Sequence, residues 1–350
     1  MAKKKILLTG ATVAVQFISA LIASQAASVK NASISVLVRG EEQARVLQEK
    51  GLRTINFKGF DDDSTIKKAA SEHDIVINTA SGFEAGLAAS LIRGLGDRKN
   101  ALGVDVHYIH TSGTTNYANS PTLNLYQGYA AATISDKATT QVVSTLRQLN
   151  EASPYAQRTT DLTVLAVGKE AGVNTHIITI PMLFGFGTGF FRKLSGQLPI
   201  LMDEALRARQ VWIVGDGVGV KQHIHVEDAA AVYELVLKRV LEGLDVPSGK
   251  EGIMFVENGS HSWNEAGEAL AKAGKSLGAL DTEQVKRLTL EEAAKTLGID
   301  DINYVEVAYA STSRVSAETA RSFKWQPKWP KGSIWEFIEP EWRAVLEERK

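Results

Sequence analysis

The stretch from Lys5 to Ala23, KILLTGATVAVQFISALIA, constrains this chain more than any other. Ile6, Leu7 and Leu8 are a continuous apolar run, which suits a strand buried on both faces of a parallel sheet. Thr9-Gly10-Ala11-Thr12 breaks the run. Phe17, Ile18, Leu21 and Ile22 then recur at the spacing of one helix face, with no proline between them. Strand, glycine turn and helix is the unit that aims a helix N-terminus at a pyrophosphate. A full version of that turn spaces three glycines as G-x-x-G-x-x-G. Here the three positions are Gly10, Val13 and Gln16. The missing glycines are those that admit a phosphate close to the backbone and pack helix against strand. The strand–helix unit is intact and its phosphate turn is damaged.

The same segment imitates a secretory leader, with MAKKK, an apolar stretch and SQAAS. Reading it as strand and helix keeps the first strand of the sheet that the rest of the chain encodes, and that is the expectation adopted, with a cytoplasmic location. No other apolar run reaches the roughly 20 residues that span a bilayer. At 350 residues and 44% hydrophobic the chain buries a large core. A formal net charge of −1 gives no sign of a nucleic-acid partner. The absence of cysteine excludes disulfides, thiolate metal sites and a cysteine nucleophile. The seven histidines show no metal-ligand spacing, so no metal is expected.

Further strands are expected at Ser33–Val38, Thr54–Phe57, Asp74–Asn78, Val106–His110, His176–Ile180, Val211–Val214 and Ile253–Glu257. Helices are expected from Glu41 to Glu49, Glu84 to Leu95, Ser135 to Leu149, after Ser153-Pro154 up to about Gly172, and from Ala229 to Leu241. This alternation predicts an α/β fold, a doubly wound parallel sheet of the Rossmann type with a smaller, mainly helical C-terminal substrate lobe. The core is expected in residues 1–183 and 211–242, and the lobe in 184–210 and 243–350. Ligands of such sheets bind at the carboxyl ends of the strands. Arg39 ends the second strand, where arginine suits the 2′-phosphate of NADP; a solvated strand-end arginine is the other reading. Asp61 follows the third strand and reads as an adenine contact, with Asp63 or Ser64 as the cap of the next helix. Ala80 lies in a small-residue loop after the fourth strand, suited to close passage by a nicotinamide ribose.

LLTGAT, INTAS, HTSGTT, ITIPMLFGFGTG, WIVGDG, HIHVED and FKWQPK, in this order, resemble an extended short-chain dehydrogenase/reductase of the NAD-dependent epimerase/dehydratase and NmrA-like kind. The segment PYAQRTTD is similar to fungal members associated with secondary metabolism. The resemblance implies a hydroxyl after the fifth strand and a Tyr-x-x-x-Lys pair, in which lysine lowers the tyrosine pKa and holds the nicotinamide ribose. Tyr155 matches the tyrosine, but the lysine position is Thr159, and Arg158 lies one residue early. Ser112 and Thr114 flank Gly113, which stands at the usual serine place.

The damaged turn and the lost lysine point the same way. The expectation is an enzyme that runs isomerisation, cyclisation or elimination on an apolar small molecule. Tyr155 would be its general acid or base, Arg158 an electrostatic stabiliser, and Ser112 or Thr114 a donor to a carbonyl. His223 is the strongest histidine candidate for the site, against a structural role; His110 and His225 share its place at strand ends. Phe184, Phe186, Phe190 and Phe191 are split between substrate pocket and core. An NADP(H)-dependent oxidoreductase or epimerase with Gly10, Thr12, Arg39, Asp61 and Ala80 on the cofactor is the second reading; a non-enzymatic NADP-binding regulator is the third. A homodimer is the expected assembly.

Overall fold

Parallel pairing joins β1 (Lys5–Thr9), β2 (Ser33–Val38), β3 (Arg53–Asn56), β4 (Ile75–Asn78), β5 (His107–Gly113), β6 (Asn174–Ile180) and β7 (Ile253–Phe255) into one sheet. This computed structural model describes residues 3–10, 24, 26–120, 132–187, 189, 191 and 194–349. The sheet order is β7-β6-β5-β4-β1-β2-β3, so the chain reverses direction across the sheet between β1 and β4. That reversal leaves a crevice above the strand ends, where ligands of doubly wound sheets bind. Ile6, Leu7 and Leu8 are buried, as a strand covered on both faces requires.

Helices cover both faces. The connecting helices are α1 (Glu41–Glu49), α2 (Asp63–Ser71), α3 (Ala85–Leu102), α4 (Thr139–Ala152), α5 (Ala156–Ala171) and α6 (Val226–Leu241). Neighbouring residues of β5 show the two sides: the Ser112 hydroxyl donates to Asp161 on α5, whereas the Thr111 hydroxyl bonds to the Tyr233 hydroxyl on α6. Helix α5 ends at Gly172 with φ +64°, as expected. Its start differs from expectation. Tyr155, in extended conformation, holds the N-cap position, and Ser153 lies outside the helix. On the Asp61–Ser64 turn, Asp62 rather than Asp63 or Ser64 caps α2, accepting from the Thr65 and Lys58 amides.

A second core, built around Leu198, Met202, Trp212, Trp263, Leu270 and Trp342, forms the C-terminal lobe. Two stretches change sides relative to the expected boundaries. Trp212–Val214 pairs with Lys286–Leu288 inside the lobe core, and Ile253–Phe255 is an edge strand of the main sheet. Both runs are short and apolar, and only the partner they find decides their side. Val220–His225 pairs parallel with Met182–Phe184, which follows β6 after Pro181, and antiparallel with Ser260–Ser262. This small sheet sets the lobe over the carboxyl ends of β5 and β6.

Candidate active site

At the crevice, the turns after β1 and β4 are clamped together. The Thr79 hydroxyl donates to the Thr9 carbonyl at 2.6 Å, and the Thr9 hydroxyl donates to Asn78 Oδ1 at 2.6 Å. Gly10 has φ +84°, and a Cβ there would run into the backbone of Thr79 and Ala80. A glycine is required on both counts. Thr12, Val13 and Gln16 lie outside the described residues. Arg39, exposed at the end of β2, lays its guanidinium 5.0 Å from the centroid of the Phe60 ring. Asp61 is exposed, since Asp62 takes the capping role. Among the described residues, this end of the crevice presents a cation.

The end above β4 and β5 is filled. Alternation along β5 puts Tyr108, His110 and Ser112 on one face. They belong to a buried polar chain with Asn78, Asn116 and Asp161. Asn78 Nδ2 donates to the Tyr108 hydroxyl at 2.9 Å, and that hydroxyl lies 3.3 Å from His110 Nδ1. His110 Nε2 is 3.5 Å from Asp161 Oδ1. Asp161 Oδ2 accepts from Ser112 Oγ and from Asn116 Nδ2, each at 2.7 Å. Burial lowers the His110 pKa to about 3 and raises that of Asp161 to about 7, so a neutral imidazole faces a carboxyl that holds its proton toward neutrality. Ser112 and His110 thus sit beneath the crevice floor, turned toward α5.

The floor itself is closed by Gln157. Its amide lies between Gly82 and Gly113, where a Cβ on either glycine would meet it at 3.1 Å and 2.7 Å. Thr115 Oγ1 donates to Gln157 Oε1 at 2.8 Å. Tyr155 is buried, with the Phe83 ring edge-on at 5.8 Å and Tyr304 at 6.3 Å. Burial pushes its phenol well above the usual range, so it donates a proton or a hydrogen bond and does not serve as a base near neutrality.

Arg158 is buried. It donates from Nε to the Asn116 carbonyl at 2.9 Å, and from Nη1 to the Leu149 and Ser153 carbonyls at 3.1 and 3.0 Å. Its charge secures the long connection and lies 5.2 Å from the Tyr155 ring centroid. Thr159, where the family pattern has lysine, bonds through Oγ1 to Asn150 Oδ1 on the protein surface. A lysine there is therefore absent in chemistry as well as in sequence.

A cleft of about 230 Å³ opens beside this floor, lined by Thr114, Thr115, Pro181, Met182, Leu183 and Lys221 among others. Thr114 is the expected hydroxyl that reaches it. His223 does not line it: its Nδ1 faces His261 Nδ1 at 2.9 Å, and its Nε2 bonds to the Lys331 carbonyl at 3.0 Å inside the lobe. His225 caps α6 through the Glu227 amide, and Asp228 accepts from the Lys328 and Trp329 amides, fastening the C-terminal segment. Phe184 packs in the lobe core with Phe337, Phe186 also contacts Phe337, and Phe191 packs on the sheet core; Phe190 lies outside the described residues. A larger cleft of about 740 Å³ lies at the opposite end of the sheet, beside Asn174 and Thr175 at the start of β6, away from all of these groups. Gln157, Thr115 and Lys221 were missed from the sequence. Gln157 lies two residues past Tyr155, and a lysine two residues before His223 is the one signal that marks Lys221.

The chain belongs to the NAD dependent epimerase/dehydratase family, whose sequence model matches residues 6–246. Among known proteins it is similar to the oxidase UcsJ of an Acremonium species, at 24% identity over 342 residues, covering 93% of this chain and 94% of that one. Its fold matches the dTDP-glucose 4,6-dehydratase DesIV of Streptomyces venezuelae, solved with NAD and TYD bound (TM-score 0.68, 16% identity, 99% of this chain and 98% of that one). It also matches the UDP-glucose 4-epimerase of Thermotoga maritima, solved with UDP-glucose (TM-score 0.61, 14% identity, 99% and 100% covered).

Proposed function

We propose that this chain is an enzyme that uses the epimerase/dehydratase fold for proton transfer on an apolar small molecule, without a hydride step. One observation carries the reading: the Gln157 amide closes the gap between Gly82 and Gly113, and no lysine stands one turn beyond Tyr155. The residues at this end do not fit the nicotinamide half of a cofactor as the family holds it. In this reading the substrate lies against Pro181, Met182 and Leu183. Thr114 donates to its carbonyl or hydroxyl oxygen. Tyr155, whose phenol keeps its proton at neutrality, is the proton donor of this reading. The chemistry is isomerisation, cyclisation or elimination, each of which needs a proton moved and no electrons.

The second reading, an NADP(H)-dependent oxidoreductase, is supported by the retained Gly10, the exposed Arg39 and the similarity to an oxidase. Titration of the protein with NADPH and with NADH, followed by nicotinamide fluorescence, separates the two. The first reading expects no saturable enhancement in the micromolar range. Micromolar binding, strongest for NADPH, would replace it with the second.

A further inference from the structure

Lys221 is a buried lysine that lines the cleft and has no ion-pair partner among the described residues. It comes from the Val220–His225 strand, and Thr114 and Thr115 line the same cleft from the end of β5. The residue is 4% exposed. Nζ donates to the Val307 carbonyl and to Ser311 Oγ, both at 2.8 Å, and lies 6.0 Å from the Trp263 ring centroid. Ser311 Oγ in turn donates to the Val307 carbonyl at 2.6 Å. None of the ion pairs among the described residues includes Lys221.

Surface lysines of the chain behave differently: Lys67 and Lys328 each pair with a carboxylate at about 3 Å in open solvent. A buried ammonium without such a partner is costly, and the ordinary remedy is loss of its proton. A neutral amine has two N–H bonds and one lone pair. The two bonds have acceptors here, Val307 O and Ser311 Oγ. The lone pair has no donor among the described residues. Burial alone lowers the Lys221 pKa to about 7, which agrees with this count.

We infer that Lys221 is a nucleophilic amine of the cleft, which takes an aldehyde or ketone ligand as an imine. Nζ adds to the carbonyl carbon, and the C=O π pair moves to oxygen, which gains a proton. The nitrogen loses both of its protons in turn, the oxygen takes up a second one and leaves as water, and a C=N bond replaces C=O with no change in oxidation state. The imine then withdraws electrons from the adjacent carbon, which eases the proton removal that isomerisation or elimination needs. The inference rests on the proposed cleft as the substrate site, but its test does not depend on nucleotide binding.

The full-length protein would be treated at pH 7 with 3-phenylpropanal and cyanoborohydride, digested, and mapped by mass spectrometry. The expected result is a reduced adduct at Lys221 in at least roughly tenfold excess over surface lysines, because those stay protonated at this pH. A pH series on the wild-type protein should place half-maximal labelling of Lys221 near 7. In Lys221→Met and Lys221→Arg the adduct should vanish from that peptide, with surface labelling unchanged. Lys221 unlabelled, or labelled only in parallel with surface lysines up to pH 10, would overturn the inference and leave Lys221 as a cap on the Val307 carbonyl. The fluorescence titration runs on the same samples. Labelling with nucleotide binding keeps the amine and rejects the hydride-free reading; no labelling and no nucleotide binding does the reverse.

Discussion

The two ends of the crevice stand on the same sheet, a few strands apart, and differ in kind. Above β1 and β2 the backbone approach needs Gly10, and Arg39 is exposed. Above β4 and β5 a glutamine amide fills the gap between two glycines, and a buried chain from Asn78 to Asp161 fills the space beneath. Loop spacing at the first end is fixed by the strand register. At the second, side chains have taken the space. A fold keeps its architecture through the first kind of constraint, and changes its chemistry through the second.

Breaking the first end should cost the most. Gly10→Val puts a β-branched side chain at a positive φ and into the Thr79–Ala80 backbone, so we expect a loss of about 3 kcal/mol or more in urea unfolding. Wild-type stability in that variant would mean the two loops are not in contact.

The second end is tested through Asp161. Its carboxyl holds a proton up to about pH 7 in the folded chain and releases it near the ordinary 3.8 when unfolded. Between those values the folded state binds more protons, so stability falls as pH rises from about 4 to 7 and is level above. Glu341, raised to about 7 by its burial, carries the same sign. Asp161→Asn should therefore reduce this slope without abolishing it, at a stability cost of about 1–2 kcal/mol. Lys221 acts oppositely and above: the unfolded chain binds more protons between about 7 and 10.5, so stability rises through that range, and Lys221→Met removes the rise. Thermal melts across pH 4–10 measure both slopes.

Clearing the second end sharpens the contrast. Gln157→Ala opens the gap between Gly82 and Gly113. A gain of about tenfold in NADPH affinity, about 1.4 kcal/mol, is expected by fluorescence titration. No gain would mean that the phosphate turn, and not the floor, limits nucleotide binding. The smallest effect belongs to Arg39→Ala. The side chain is exposed, so stability should change by less than about 0.5 kcal/mol. If NADPH binds the wild type in preference to NADH, this variant should lose the preference.

Much of the fold was legible in the sequence. Ser33–Val38 is a strand in the structure with the expected bounds, and α5 ends at Gly172 as the sequence indicates. Apolar runs and glycine stops suffice for this, because a strand buried on both faces admits little else. The Tyr155–Thr159 spacing, with no lysine four residues on, was legible as a matter of residue type and position. The surroundings of Ser112, Arg158 and His223 were not. Ser112 and Thr114 are two residues apart, yet one bonds beneath the floor and the other lines the cleft. The strand ends at Gly113, and alternation no longer applies beyond it.

The sequence by itself determined the doubly wound sheet, the glycine at its first turn and the loss of the family's lysine. These follow from local periodicity and from residue types that tolerate no substitute. Only the tertiary structure decided that Gln157 fills the floor, that Arg158 holds three main-chain carbonyls, and that Lys221 lines the cleft with no ion-pair partner among the described residues. Each depends on segments brought together from distant parts of the chain: Gly82 with Gln157, Asn116 with Arg158, and Thr114 with Lys221. Burial and partnership are properties of those meetings, and no residue carries them alone.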